Sequence, residues 1–132
     1  MLIKKIMTQK VVSVEPDDTL KTLNEIFSSV KFHHLLVVED DRLCGVISDR
    51  DLLKTMSPFI ASPSERPIDQ AIMNKKAHQI MSRELVTISL DATAQAAKEL
   101  LLKCHVSCLP VVDDQHKIVG ILSWKDLMRH CL

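Results

Sequence analysis

The chain has 132 residues, 46% of them hydrophobic and 26% charged, which is enough to bury a core without metals or disulfides. Lys plus Arg and Asp plus Glu balance at 17 each, so no basic field points to nucleic acid and no acidic tail to a cationic partner. Met1-Leu2-Ile3-Lys4-Lys5-Ile6 lacks the apolar core of a signal peptide and no apolar run is long enough for a bilayer, so the expected setting is the cytoplasm, away from membranes.

Taken in order, Val11-Val12-Ser13-Val14 is a short β-branched run that reads as a strand. Pro16-Asp17-Asp18-Thr19 supplies a turn and helix caps, and Leu20, Leu23, Ile26, Phe27 and Val30 follow at helical spacing. Leu35-Leu36-Val37-Val38 is apolar on both faces, as a central strand is. After the polar turn Glu39-Asp40-Asp41-Arg42, Leu43 to Ile47 reads as the next strand and Asp49 to about Met56 as a helix. The stretch 57–77 carries Ser57-Pro58, Ser62-Pro63-Ser64 and Arg66-Pro67, with a helical turn over Ile68 to Met73. It reads as a passive tether, with an interaction segment as the alternative.

The second half repeats the first. Ile80-Met81-Ser82 matches Ile6-Met7-Thr8, Leu85-Val86-Thr87-Ile88 matches Val11 to Val14, and Leu90-Asp91-Ala92-Thr93 matches Pro16 to Thr19. Ala97, Leu100, Leu101 and Cys104 then share a helix face, and Leu109-Pro110-Val111-Val112-Asp113 matches Leu35 to Glu39. The offset is 74 at Met7 and Met81 but 75 at Gly45 and Gly120, so one residue was inserted in the polar turn. Each copy reads β-α-β-β-α, giving an α/β (α+β) chain of repeat 1 over 1–56, a linker over 57–77 and repeat 2 over 78–132.

The only two glycines open the pattern that recurs most closely, Gly45-Val46-Ile47-Ser48-Asp49-Arg50-Asp51 and Gly120-Ile121-Leu122-Ser123-Trp124-Lys125-Asp126. Two aliphatics ending at Ser make a strand that stops, and Ser-x-x-Asp starts a helix, with Ser as N-cap and the carboxylate in the first turn. Such a junction leaves backbone N–H groups that suit an anion. The same residues also serve as plain helix capping, and the pattern alone leaves both readings open.

The doubled Ile-Met-[Ser/Thr], the Leu-[Leu/Pro]-Val-Val-[Glu/Asp] strand and the Gly-h-h-Ser-x-x-Asp turn resemble the tandem cystathionine-β-synthase (CBS) domain pair, or Bateman module, over nearly the whole chain outside the linker. The resemblance implies two repeats packed sheet to sheet about a pseudo-twofold axis, free-standing, with two clefts for adenosine-containing ligands such as AMP, ADP or ATP. It implies ribose on Asp51 and Asp126, with Ser48 and Ser123 beside them. The clefts are crossed, so that Asp126 is expected to face Thr8 and Val12, and Asp51 to face Ser82 and Val86. An acidic residue at a helix start serves ribose hydroxyls in the same way in dinucleotide-binding folds. For phosphate, repeat 1 offers His33 and His34 before its middle strand, where repeat 2 has Ser107 and Cys108; Arg50 and Lys125 assist from the turns. The thin supply of cations in repeat 2 disfavours a polyphosphate and leaves a nucleoside, a monophosphate or a single occupied cleft as the expectation. For His33 and His34 an exposed or internally bonded role stays open beside ligand contact.

The resemblance also implies a symmetric homodimer through apolar helix faces that include Leu52, Met56, Leu127 and Met128, and a regulated protein partner whose identity is unknown. Cys104-His105-x-x-Cys108, with His116, is the one metal-like cluster; without paired ligands at both ends of a loop it reads as structural. The four cysteines, Cys44, Cys104, Cys108 and Cys131, form no CxxC pair and are expected as thiols. Trp124 reads as packing on the linker or a dimer partner. No Gly-x-Ser-x-Gly or His-Glu-x-x-His is present, so neither catalysis nor a required cofactor is expected. The leading reading is a regulatory module for adenine nucleotides; the rival is a CBS scaffold that binds no ligand and acts through dimerisation or protein contacts.

Overall fold

The computed structural model describes residues 1–30 and 32–131. The chain forms two compact units whose limits are not those of the repeats: Val12–Leu85 is one, and Met1–Val11 with the chain from Val86 onward is the other. They are called here the first-repeat unit and the second-repeat unit.

In the first-repeat unit, β1 (Ser13–Val14) pairs parallel with β2 (His34–Glu39), which pairs antiparallel with β3 (Arg42–Ser48), in the order β1-β2-β3. The doubly apolar run is thus the central strand. Its Leu35 and Val37 join Val14, Leu20, Leu23, Ile47 and Leu52 in one core, while Leu36 is buried on the opposite sheet face. α1 (Leu20–Ser29) starts where Thr19 Oγ1 accepts from Thr22 N, and α2 (Asp49–Thr55) follows β3 without a loop. The β2–β3 hairpin turns at Asp40 and Asp41, both left-handed at φ 51° and 62°, a conformation that Asp tolerates and that suits strand twist.

The second-repeat unit repeats this plan with β4 (Ile88–Ser89), α5 (Ala94–Cys104), β5 (Cys108–Val112), β6 (Ile118–Ser123) and α6 (Trp124–Cys131), in the sheet order β4-β5-β6. Ile88, Ala97, Leu101, Leu109, Val111, Leu122 and Leu127 fill its core together with Ile3 and Ile6. The fold is therefore mixed α/β with two three-stranded sheets.

The unit boundaries arise because the segment that opens each repeat docks on the body of the other. The bridge Leu2↔Thr93 corresponds, after the offset, to Thr19↔Lys76, and Thr8↔Ile121 corresponds to Val46↔Ser82. A 3-10 turn over Ile3–Lys5 carries Ile3 into the second-repeat core, where Ile3 N donates to Ala92 O at 3.0 Å. α4 (Ala77–Ile80) does the same in the first-repeat unit, with Ala77 N donating to Asp18 O at 2.7 Å. These segments have too few residues for a periodic signal; their order comes from backbone hydrogen bonds to distant chain.

The stretch 57–77, read as a tether, is structured. Pro67 opens α3 (Pro67–Met73) at a position that needs no N–H, and Met73 and Ala77 enter the first-repeat core. Asp69 is 1% exposed and is gripped by Arg66 Nε and Nη2 at 3.1 and 3.0 Å and by Arg66 N at 2.8 Å. The Arg66 guanidinium first, and the Ser57 hydroxyl after it, hold the Asp69 carboxyl well below the usual carboxylate range.

One expectation changes: Leu52 and Leu127 face their cores and Met56 packs against the first-repeat core, while Leu53 is exposed beside the expected Met128, because successive residues stand about 100° apart around a helix. Trp124 packs against the second-repeat core. Among the described residues no helix is long and apolar enough to cross a membrane. Cys44, Cys104 and Cys108 form no disulfide among the described residues; the side chain of Cys131 lies outside them.

Candidate functional site

Both repeats end their last strand in the same short structure. Ser48 caps α2 in extended conformation: its Oγ accepts from Asp51 N at 3.1 Å, and its N donates to Asp51 Oδ2 at 2.9 Å. In repeat 2, Ser123 N donates to Asp126 Oδ2 at 3.0 Å and Asp126 N donates to Ser123 Oγ at 3.4 Å. The reciprocal box forms because Ser and Asp three apart each satisfy a backbone donor that the first helical turn leaves without a partner. It fixes each carboxylate in one rotamer.

The docked segments bring the next group. Thr8 exchanges both backbone bonds with Ile121 at 2.9 Å, which carries its hydroxyl to Asp126: Thr8 Oγ1 donates to Asp126 Oδ1 at 3.1 Å. Ser123 Oγ also donates to Asp126 Oδ2 at 3.2 Å, and Asp126 is only 6% exposed. Ser82 exchanges the same pair of backbone bonds with Val46, at 3.1 and 2.9 Å, yet its hydroxyl makes no bond to Asp51 among the described residues. Asp51 is half-buried, Ser82 is exposed, and Asp51 Oδ1 accepts no bond among the described residues.

The other expected residues divide. Arg50 and Lys125 are exposed, each one residue ahead of the third helical position held by its aspartate. His34 pairs with Ser48 across β2 and β3. His33 Nδ1 lies 2.8 Å from Asp49 Oδ2, and Asp49 N donates to His33 O at 2.9 Å. Asp49 was missed as a partner; the signal was there, since repeat 2 has Trp124 at the matching place and Ser107 where His33 stands. Val12 packs against the first-repeat core and Val86 against the second-repeat core. Among the described residues no three His, Cys, Asp or Glu groups converge on a metal position, and His105 instead ends α5 in left-handed conformation at φ 56°.

A cleft of about 530 Å³ in the first-repeat unit is lined by Glu15, Asp17, Glu39, Asp40, His78 and Arg83 among others. It lies at the hairpin end of β2, whereas Ser48 pairs with His34 at the other end, so none of the expected ligand residues lines it.

The CBS domain model matches the chain twice, over residues 3–58 and 77–132. A CBS domain-containing protein of Dictyostelium discoideum is 31% identical over 130 residues, 97% of this chain and 89% of that protein. The inosine-5′-monophosphate dehydrogenase of Methanocaldococcus jannaschii is 26% identical over 126 residues; these are 95% of this chain but 22% of that enzyme. Of the solved structures, the CBS domain pair of protein MJ0100 in complex with 5′-methylthioadenosine and S-adenosyl-L-methionine is 25% identical, with a TM-score of 0.77 and 98% of both chains covered. CBSX2 in complex with AMP is 27% identical, with a TM-score of 0.75 over 97% of this chain and 93% of that one.

Proposed function

The chain belongs to the CBS domain family, and from that premise we propose that it is a cytoplasmic regulatory module that binds an adenosine-containing ligand through its first repeat. One observation carries the reading: Asp51 presents a half-buried carboxylate that, among the described residues, accepts one bond on Oδ2 and none on Oδ1. A carboxylate has about four lone-pair positions, so three remain, and the vicinal hydroxyls of a ribose need two. Each such charged hydrogen bond contributes about 1.5–3 kcal/mol. Both MJ0100 and CBSX2 were solved with adenosine compounds, which supports that ligand class.

The charges around Asp51 choose within the class. In the sequence Asp49 and Asp51 flank a single cation, Arg50, and His33 is already engaged by Asp49. This balance disfavours a triphosphate and suits a nucleoside, a monophosphate or a sulfonium such as that of S-adenosylmethionine. The module carries out no chemistry of its own; occupancy is read by a protein partner.

Thermal unfolding with AMP, ATP, S-adenosylmethionine, NAD and zinc tests this. A ligand at a hundred times its dissociation constant adds about 2.7 kcal/mol of stability. AMP or S-adenosylmethionine is expected to raise the melting temperature more than ATP does. No shift with any of the adenosine compounds overturns the reading and leaves the scaffold in its place.

A further inference from the structure

Resting on the reading of Asp51 as ribose acceptor, we infer that the two acid motifs have diverged: Asp126 is a positioning residue that latches the N-terminal segment, and the chain takes one adenosine-type ligand. Asp126 accepts three bonds, from Thr8 Oγ1 on Oδ1 and from Ser123 N and Oγ on Oδ2. Of about four lone-pair positions one remains, and a pair of ribose hydroxyls needs two. Asp126 is also 6% exposed, so a ligand must first displace Thr8 and then desolvate a carboxylate whose partners are already met. Asp51 carries neither restriction.

The cause is one residue. Thr8 and Ser82 hold equivalent places, each paired on a final strand, but only Thr8 reaches its aspartate. A β-branched side chain has fewer rotamers, and the backbone bonds from Ile3 N to Ala92 O and between Thr8 and Ile121 fix the direction in which Thr8 points. The Thr8–Asp126 bond spans 118 residues and closes the N-terminal segment onto the second-repeat unit.

The test combines a thermal double-mutant cycle with AMP titration. Thr8→Val and Asp126→Asn are each expected to lower the melting temperature by several degrees, with the double variant losing little more than the worse single one. Thr8→Ser keeps the hydroxyl but loses the branch that aims it, so it is expected to recover part of the Thr8→Val loss, whereas a role confined to methyl packing would leave Thr8→Ser the less stable of the two; this comparison also decides the matter if Asp126→Asn does not fold. Ser82→Ala with Asp51→Asn shows no such coupling. AMP saturates wild type at one per chain, Asp51→Asn weakens it at least tenfold, and Asp126→Asn leaves it unchanged. Additive losses at Thr8 and Asp126, two AMP per chain, or equal weakening by both Asn variants overturns the inference. A wild-type chain that takes up no AMP overturns the ribose reading and the single-site claim with it, while the thermal cycle still decides the latch.

Discussion

Gly45 lies against the backbone of Ser82: a β-carbon on Gly45 would stand 2.9 Å from Ser82 O and 2.5 Å from Met81 Sδ. Gly120 repeats the relation, with 2.9 Å to Thr8 O and 2.8 Å to Met7 Sδ. The methionine ends can move aside, but the carbonyls are held by the paired backbone bonds Val46–Ser82 and Thr8–Ile121. The chain's two glycines therefore stand where the exchanged segments cross the final strands, which is a packing demand.

Gly45→Ala and Gly120→Ala are accordingly expected to destabilise the protein by about 1–3 kcal/mol each, the usual range for overpacking. Denaturant unfolding measures this. A change of only a few tenths would mean that the crossing is looser than these distances require.

Asp69 gives a prediction in pH. Its carboxyl lies below its ordinary value when folded, so the folded protein binds that proton more weakly than the unfolded chain does. The stabilisation is complete above the unfolded value of about 3.9 and is lost as the pH falls through the lower folded value. Melting temperatures of wild type and Asp69→Asn followed from pH 7 to pH 2.5 are expected to differ most at neutral pH and to draw closer as the pH falls below about 4. Parallel profiles would contradict the role assigned to Arg66 and Ser57.

Leu53 on α2 and Met128 on α6 are 70% and 60% exposed. Burying them against a second copy is expected to make the chain a symmetric homodimer, the commonest closed assembly. Light scattering at micromolar concentration should give twice the chain mass, and Leu53→Glu should shift it to monomer. A wild-type monomer would contradict this expectation.

The sequence displayed what local chemistry dictates. Ser48, Asp51, Ser123 and Asp126 stand at helix starts because a three-residue spacing is enough to form the box. Leu35 to Val38 form a central strand because nothing polar interrupts either face. What stayed hidden depends on distance along the chain. The docking of Thr8 on Ile121 is made of backbone bonds that no side-chain pattern announces, and it moves residues 1–11 out of the first-repeat unit. The grip of Arg66 on Asp69 was masked by the prolines around it, which read as irregular chain. The bond from Thr8 to Asp126, and its absence between Ser82 and Asp51, depend on side-chain directions that two similar hydroxyl residues do not reveal.

The claim that Asp51 accepts both ribose hydroxyls is tested most directly by titrating AMP and 2′-deoxy-AMP into wild type and Asp51→Asn. Wild type should prefer AMP by roughly tenfold or more, since one charged hydrogen bond separates the two ligands. In Asp51→Asn that preference should disappear while the chain stays folded. Equal binding of the two ligands by wild type, or a preference that survives the substitution, would contradict the account.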